Sequence, residues 1–220
     1  MKTKQVDTWT GAFGAQYTER CTFESDEAFN ALYVQRYGVA RDDINLDWLG
    51  HLPRDARILE VGCNIGNQLR ALQRIGFTNL YGIDVQRDAI EKCKGMYRGL
   101  DTIVGSAFDI PFKDGFFDLV FTNNVLIHIS PDDIGNVIDE MVRVTSGYVW
   151  GFEYYAPQFT EINYRGHTNL LWKADYARHF VERHPALLEV AREKIFDCLD
   201  EPSNQDKCYL LRRRSKDDGR

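Results

Sequence analysis

The segment that decides the fold is Leu59-Glu60-Val61-Gly62-Cys63-Asn64-Ile65-Gly66-Asn67. Its apolar start predicts a buried strand, and a helical pattern with Leu69 and Leu72 on one face follows it. Gly62 allows the chain to turn sharply and a ligand to approach the backbone. Asn64 stands where the full G-x-G-x-x-G pattern has a glycine, and Asn tolerates left-handed backbone well. The segment therefore predicts a strand–turn–helix unit that can contact a ligand.

An acidic residue stands at the tip of the next predicted strand. Asp84 follows Gly62 by 22 residues and ends the strand that begins near Asn79. An acid about 20 residues beyond a glycine turn is placed to accept both hydroxyls of a ribose. The segment Gly105–Phe112 follows the third strand beside these two tips, and its Phe108 can lie against a purine, although a core position is the equal alternative. Together these features predict a nucleoside pocket.

The middle of the chain alternates β-rich runs with helical stretches, which is typical of βαβ units and a parallel sheet. Predicted strands are 57–63, 79–85, 102–104, 116–122 and 147–153, with a final hairpin of 190–196 and 208–212. Predicted helices are 26–37, 41–49, 67–75, 86–97, one that starts at an N-cap Ser130, and 175–181. Residues 154–173 have no period and predict a long loop, and such loops are often functional. We expect a helical N-terminal extension at 1–50, one domain at 51–214 and a frayed tail at 215–220.

Composition and net charge exclude several classes of function. The chain has 220 residues, of which 44% are hydrophobic and 27% charged, and its net charge is −6. An acidic chain is a poor partner for nucleic acid or an anionic membrane, so we expect neither. Residues 1–10 contain no apolar core of a signal peptide. Five cysteines without zinc spacing predict no metal site and a reduced, cytoplasmic protein.

The ordered motif set resembles that of the class I S-adenosylmethionine-dependent methyltransferases. The motifs are Glu60–Gly66, Gly82–Asp84, Gly105–Phe112 and Phe117–Phe121. The resemblance implies an α/β, Rossmann-like fold: a seven-stranded, mostly parallel sheet with an antiparallel last strand and helices on both faces. It also implies S-adenosyl-L-methionine as the cofactor and S-adenosyl-L-homocysteine as its product.

The resemblance also implies which residues contact the cofactor. They are Glu60, Gly62, Asn64, Gly66, Asp84, Ala107, Phe108 and Asn123. Gly62 and Gly66 would flank the methionine part, Asp84 would hold the ribose, and Asn123 would lie near the sulfonium. Ser106 stands where many relatives have an Asp that bonds the adenine amine, so backbone groups and Asp109 remain alternatives for that role.

A second likeness lies outside the core motifs. The segments Trp9–Arg20, Glu153–Pro157 and Tyr164–His167 resemble a small bacterial group of methylases associated with pseudaminic acid biosynthesis. That association points to a sugar-related small molecule in a surface polysaccharide or nonulosonic acid context. Tyr17 and Arg20 are predicted to cover the cofactor, with mere docking of the N-terminal segment as the alternative.

Polar aromatic and basic residues beyond the fifth strand predict a pocket for a small-molecule methyl acceptor. The predicted substrate-binding residues are Tyr154, Tyr155, Tyr164 and Arg165. A hydroxyl acceptor needs a base, and the candidates are His128, Glu153 and His167. A carboxylate or phosphate oxygen needs none, and Arg165 could then grip it by two hydrogen bonds. A packed structural histidine is the alternative for His128.

These features together predict methyl transfer to an oxygen of a small acidic or sugar-related molecule. A nicotinamide-dependent oxidoreductase shares the strand–glycine–helix–acid pattern, but the glycine spacing here disfavours it. A binding domain that keeps the cofactor site without catalysis, as a partner subunit, is a further alternative. The acceptor and the oligomeric state stay open.

Overall fold

Seven strands form one sheet in the computed structural model, which describes residues 3–214. The described residues contain nine strands in all: β1 (Arg57–Val61), β2 (Asn79–Asp84), β3 (Leu100–Val104), β4 (Phe117–Asn123), β5 (Thr145–Tyr154), the short β6 (Thr160–Glu161) and β7 (Trp172–Lys173), β8 (Leu188–Asp197) and β9 (Gln205–Arg213). The sheet order is β3-β2-β1-β4-β5-β9-β8, while β6 and β7 form a separate pair. The predicted tail at 215–220 lies outside the described residues.

The first five strands of the sheet pair in parallel, and β9 is antiparallel to both of its neighbours. Parallel strands buried on both faces are nearly continuous apolar runs, as in β4. The predicted Rossmann-like α/β sheet with an antiparallel last strand is therefore confirmed. Because β1 and β4 are adjacent and chain order reverses there, their carboxyl ends open a crevice.

Eight α-helices accompany the sheet within the described chain. They are α1 (Lys4–Trp9), α2 (Ala12–Arg20), α3 (Asp26–Tyr37), α4 (Arg41–Leu49), α5 (Asn67–Arg74), α6 (Arg87–Met96), α7 (Ile134–Val144) and α8 (Tyr176–Arg183), with a 3-10 helix at Leu126–His128. One core layer packs α3, α4, α5 and α6 against the sheet, and a second packs α7 and α8 against the other face. Helices on both faces agree with the prediction. No helix among residues 3–214 is long and apolar enough to cross a membrane.

Two local predictions differ from the structure. Helix α7 starts at Ile134 and not at Ser130, because Ser130–Asp133 form a turn of their own. The Ser130 hydroxyl donates to the Asp133 carboxylate at 2.8 Å instead of capping the backbone. The segment predicted as a bare loop at 154–173 also contains the β6–β7 pair.

Candidate active site

A cavity of about 500 Å³ lies at the carboxyl ends of β1, β2, β4 and β5. The strand tips form its floor, and residues of the N-terminal helices α1, α2 and α3 also line it. Ligand sites of proteins are typically cavities of about 300–1,000 Å³ with a few convergent polar groups. This cavity brings together most of the residues that the sequence predicted.

Asp84 stands at the tip of β2 with its carboxylate in the cavity wall. One oxygen accepts the backbone N–H of Asn64 and the other that of Gln86, each at 2.8 Å. Burial raises the pKa of Asp84, and these backbone hydrogen bonds oppose the rise. An ionised carboxylate has about four acceptor sites, so two remain after the backbone bonds. Two acceptors on one rigid carboxylate suit a vicinal diol.

The two glycines of the turn do different things. Gly62 lines the cavity at φ +77°, and an added Cβ would lie 2.6 Å from a methyl group of Val125. Gly66 begins α5 at φ +84° and lies outside the cavity lining, where a Cβ would meet Cys93 Sγ at 2.6 Å. Gly66 thus allows close packing at the start of the helix, and its cofactor contact stays a prediction. Asn64 lines the cavity and holds φ at 47°, the left-handed conformation that its type tolerates.

Glu60 ends up under the turn, in the cavity wall, and is only 3% exposed. Burial raises its pKa well above the usual range, while the charge of Arg41 acts in the opposite direction. Its Oε2 atom is buried and has no hydrogen-bond partner among residues 3–214. A buried acceptor left unpaired at a cavity wall is matched by a ligand that carries a donor such as an amine.

The segment after β3 forms the neighbouring wall. Ala107 and Phe108 line the cavity as predicted, and so does Ser106. Ser106 Oγ accepts the backbone N–H of Phe108 at 3.2 Å, so its oxygen organises this loop. Asp109 is exposed and lies outside the lining. Of the two alternatives for adenine recognition, only backbone groups are therefore at the cavity.

Helix α2 lies across the glycine turn. Tyr17 and Arg20 both line the cavity, and the Arg20 guanidinium lies 5.7 Å from the Tyr17 ring centre. Between them, the buried Thr18 hydroxyl accepts from Asn64 Nδ2 at 3.0 Å and donates to Gln86 Oε1 at 3.2 Å. One hydroxyl therefore ties α2 to the tips of both β1 and β2.

His128 lines the cavity at the end of the 3-10 helix and is 8% exposed. Burial lowers its pKa to about 4, so the ring is neutral at physiological pH. Its Nδ1 lies 2.8 Å from the Leu170 carbonyl oxygen. Since a carbonyl only accepts, Nδ1 carries the proton and Nε2 keeps its lone pair. The ring packs 4.5 Å from Trp9 and 5.6 Å from Tyr164, measured between centres.

Glu153, a predicted base, is 1% exposed and lies outside the cavity lining. Its carboxylate accepts the backbone N–H groups of Val125 at 3.2 Å and Ile127 at 3.4 Å. Burial raises its pKa to about 7. Successive side chains of a strand point to opposite faces, so Tyr154 lines the cavity while Glu153 supports the segment that carries His128.

Only some of the residues predicted for an acceptor pocket beyond β5 line the cavity. Tyr154, Tyr164 and Arg165 line the cavity. Tyr155 does not, and the ammonium of Lys207 lies 5.3 Å from its ring centre. His167 is exposed and also lies outside the lining, because a tight turn pairs its backbone with that of Tyr164.

Further polar residues that were not predicted also line the cavity. Among them are Tyr33 and Arg36 of α3, Gln68 of α5, and Asn124 after β4. Tyr33 accepts from Gln68 Nε2 at 2.7 Å and donates to the predicted Asn123 at 3.4 Å. The spacing of Phe29, Tyr33 and Arg36 places them on one helix face, and that face was the available signal. No cluster of His, Cys, Asp and Glu within 3–214 could hold a metal ion.

Comparison with known proteins agrees with this geometry. Residues 59–148, which hold the glycine turn, Asp84 and β4, match a family model described as a methyltransferase domain. These residues therefore resemble a methyltransferase domain. The described fold is also that of the magnesium protoporphyrin IX methyltransferase from Synechocystis PCC 6803, with a TM-score of 0.69 at 13% identity, covering 94% of this chain and 97% of that one. A putative methyltransferase complexed with the Trm112 activator of Haloferax volcanii gives a TM-score of 0.67 at 15% identity, with 94% and 97% covered. Identities this low establish the fold alone.

Curated relatives match this chain over only part of their own length. The domain is 26% identical over 148 residues to 24-methylenesterol C-methyltransferase 2 of Oryza sativa subsp. japonica, covering 62% of this chain and 38% of that protein. It is 32% identical over 95 residues to ajmaline N-methyltransferase of Rauvolfia serpentina, covering 40% of this chain and 32% of that protein. The chain spans less than half the length of these relatives, and their acceptors differ from one another.

Proposed function

We propose that the protein transfers the methyl group of S-adenosyl-L-methionine to an oxygen of a small acidic or sugar-related molecule. The observation that carries the proposal is the Asp84 carboxylate, fixed by two backbone N–H groups with two acceptor sites left for a ribose. The structure from Synechocystis contains S-adenosylhomocysteine, and that protein shares this fold. The unpaired Glu60 Oε2 supports a ligand that bears an ammonium group.

The residues at hand fit the cofactor in three regions. Asp84 would hold the ribose, Glu60 would face the amino group, and the backbone of Ala107 and Phe108 would border the adenine. The cofactor supplies a methyl group that its sulfonium already activates. The protein then has to align an acceptor oxygen about 3–3.5 Å from that methyl and exclude water. The aromatic side chains around the cavity, among them Trp9, Tyr17 and Tyr164, provide that exclusion.

For a hydroxyl acceptor, His128 is the base that the geometry favours. It lines the cavity, and the bond to Leu170 leaves its Nε2 free to take a proton. Glu153 and His167 lie outside the lining, so Glu153 is a positioning residue that supports the 3-10 helix by two backbone hydrogen bonds. A base with a pKa near 4 stays deprotonated through the physiological range, although a higher pKa would give more driving force.

Side chains in the cavity lining support an acidic or sugar-like methyl acceptor. Arg36, Arg165, Tyr154 and Tyr164 all line the cavity, and such groups donate hydrogen bonds to anions and hydroxyls. The likeness of Trp9–Arg20 and Glu153–Pro157 to methylases of surface-sugar gene groups supports the same class.

The test is transfer of a labelled methyl group from S-adenosylmethionine to a panel of hydroxylated sugar acids, neutral sugars and amines. We expect product with sugar acids, and the ester or ether position found by mass spectrometry should be an oxygen. Transfer to amines or carbons alone would overturn the oxygen assignment. S-adenosylhomocysteine binding without transfer to any acceptor would favour the non-catalytic partner subunit.

A further inference from the structure

The acceptor side of the cavity contains one arginine that is held in place before any ligand arrives. Arg36 lies on the α3 face that lines the cavity, and its side chain is 22% exposed. Its Nε donates to the buried Cys198 Sγ at 3.3 Å, and its Nη2 donates to the Tyr154 hydroxyl at 3.4 Å. Its guanidinium also lies 5.8 Å from the Tyr154 ring centre. The group is thus fixed by neutral partners on two sides.

Cys198 belongs to a buried network that keeps this arrangement rigid. Its thiol donates to Asp206 Oδ2 at 3.2 Å, and the Tyr37 hydroxyl donates to the same oxygen at 3.0 Å. Asp206 is fully buried, whereas the acids nearest Arg36 on the outside, Asp200 at 3.6 Å and Glu201 at 3.5 Å, are more open to solvent. Pairs with exposed acids are weak and screened by water, so a ligand can compete with them.

Part of the hydrogen-bonding capacity of Arg36 is unused. The Nη1 atom has no hydrogen-bond partner among residues 3–214, although a guanidinium offers five N–H donors. The Tyr154 hydroxyl accepts from Arg36, so its own proton is available to a second acceptor. Burial raises the pKa of Tyr154 to about 12, so that proton stays in place at neutral pH. A cation and a hydroxyl donor therefore converge at one place in the cavity lining.

We propose that Arg36, together with the Tyr154 hydroxyl, binds an anionic group of the methyl acceptor that is separate from the oxygen that is methylated. Arg165 also lines the cavity, but its side chain is exposed and its guanidinium lies 5.8 Å from the Tyr164 ring centre, so it is a poorer anchor. A guanidinium bonded to the reacting oxygen would reduce the electron density that the transfer needs. The reacting hydroxyl therefore belongs at His128, and the acceptor class is a hydroxylated carboxylate or phosphate. This inference rests on the proposed function and names its specificity residue.

The test compares matched probes on the complex with S-adenosylhomocysteine. N-acetylneuraminic acid carries a carboxylate on a polyhydroxylated ring, and its carboxamide is a neutral match. Their dissociation constants are measured by calorimetry or ligand-observed NMR for wild type, Arg36→Gln and Arg36→Lys. Arg178→Gln is the control, since Arg178 is exposed, pairs with Glu182 on α8 and lies outside the cavity.

Wild type and Arg178→Gln should bind the acid at least about tenfold more tightly than the amide, because charge-assisted hydrogen bonds are the strong ones. Arg36→Gln should lose that preference, and Arg36→Lys should lose most of it because the planar fork is gone. Absence of an acid preference in wild type, including binding of neither probe, would overturn the proposal, as would a preference that survives Arg36→Gln. A purely structural Arg36 would lower the affinity for acid and amide equally. Binding of S-adenosylhomocysteine is measured beforehand in each variant, so failure of the cofactor assignment is seen separately.

Discussion

Replacing Asp84 by Asn isolates the contribution of one carboxylate oxygen to cofactor binding. The change keeps the size of the side chain but leaves one carbonyl oxygen and adds an NH₂ group. One of the two backbone N–H groups, from Asn64 or Gln86 at 2.8 Å, then faces a donor or loses its partner. A buried unpaired donor costs about 1–3 kcal/mol of folding free energy. For a domain of this size we expect the melting temperature to fall by about 2–12 °C.

The effect on binding follows from the same geometry. Of two free acceptor sites on the carboxylate, the Asp84→Asn variant retains at most one for the ribose diol, and the charge is lost. A hydrogen bond to a charged group is worth about 1.5–3 kcal/mol, which is about a 10- to 100-fold change in dissociation constant. Isothermal titration with S-adenosylhomocysteine at 15 °C measures this change while the variant is still folded.

Asp101→Asn provides the matched control, because Asp101 is an exposed acid on the adjacent strand β3 and lies outside the cavity. It should bind S-adenosylhomocysteine as wild type does. An Asp84→Asn protein that is folded and binds within threefold of wild type would refute the assignment of Asp84 to the ribose. Equal losses in both variants would refute it as well, since the effect would then come from overall charge.

Other variants test other parts of the account. Gly62→Ala should destabilise the protein by more than about 2 kcal/mol, because of strain at φ +77° and a Cβ contact at 2.6 Å. Gly95→Ala, in an open position of α6, should instead stabilise it by about 0.5–1 kcal/mol. Denaturant unfolding measures both free energies, and similar effects in the two variants would contradict the close packing at Gly62. Burial raises the pKa of Glu153 to about 7, so the stability that its protonated form contributes is lost as pH rises from about 4.5 through 7. Over that window, the unfolding free energy of Glu153→Gln minus that of wild type should increase by about 3 kcal/mol. Burial lowers the pKa of His128 to about 4, so the stability that its neutral form contributes is lost as pH falls from about 6.5 to 4. Over that window, the unfolding free energy of His128→Gln minus that of wild type should increase by about 3 kcal/mol toward acid. A difference in unfolding free energy that does not change with pH would contradict the burial of Glu153 or His128, whichever variant shows it. Thr18→Val removes the tie between α2 and the strand tips and should raise hydrogen exchange in 12–20 at least about fivefold, and unchanged exchange would show that apolar packing alone holds the helix.

The fold was predictable because its determinants are local. Apolar runs such as 117–121, a glycine turn and an acid at the next strand tip each fall within a few residues of sequence. The start of α7 was missed because a Ser-Pro-Asp-Asp sequence fits both a helix N-terminus and a separate turn, and the Ser130–Asp133 hydrogen bond favours the turn. Pattern alone does not distinguish these outcomes.

Cavity-lining residues within the glycine turn and the strand tips were predictable for the same reason, whereas side chains that reach the cavity from distant parts of the chain were not. Asn123, Tyr33 and Gln68 meet through hydrogen bonds between residues 90 and 35 positions apart, and no local motif encodes such contacts. Glu153 was predicted at the cavity from its place at a strand tip, but side-chain alternation turns it beneath the 3-10 helix. Gly66 allows the close approach of Cys93 at the start of α5.

The proposed cofactor is tested by the thermal shift of the wild-type chain with S-adenosylhomocysteine, NAD and NADP in separate samples. A ligand at 100 times its dissociation constant adds about 2.7 kcal/mol, which is about 5–10 °C for a domain of this size. We predict a shift of that size with S-adenosylhomocysteine and none with either nicotinamide cofactor. A shift with NAD or NADP alone would contradict the account, and so would the absence of any shift with S-adenosylhomocysteine.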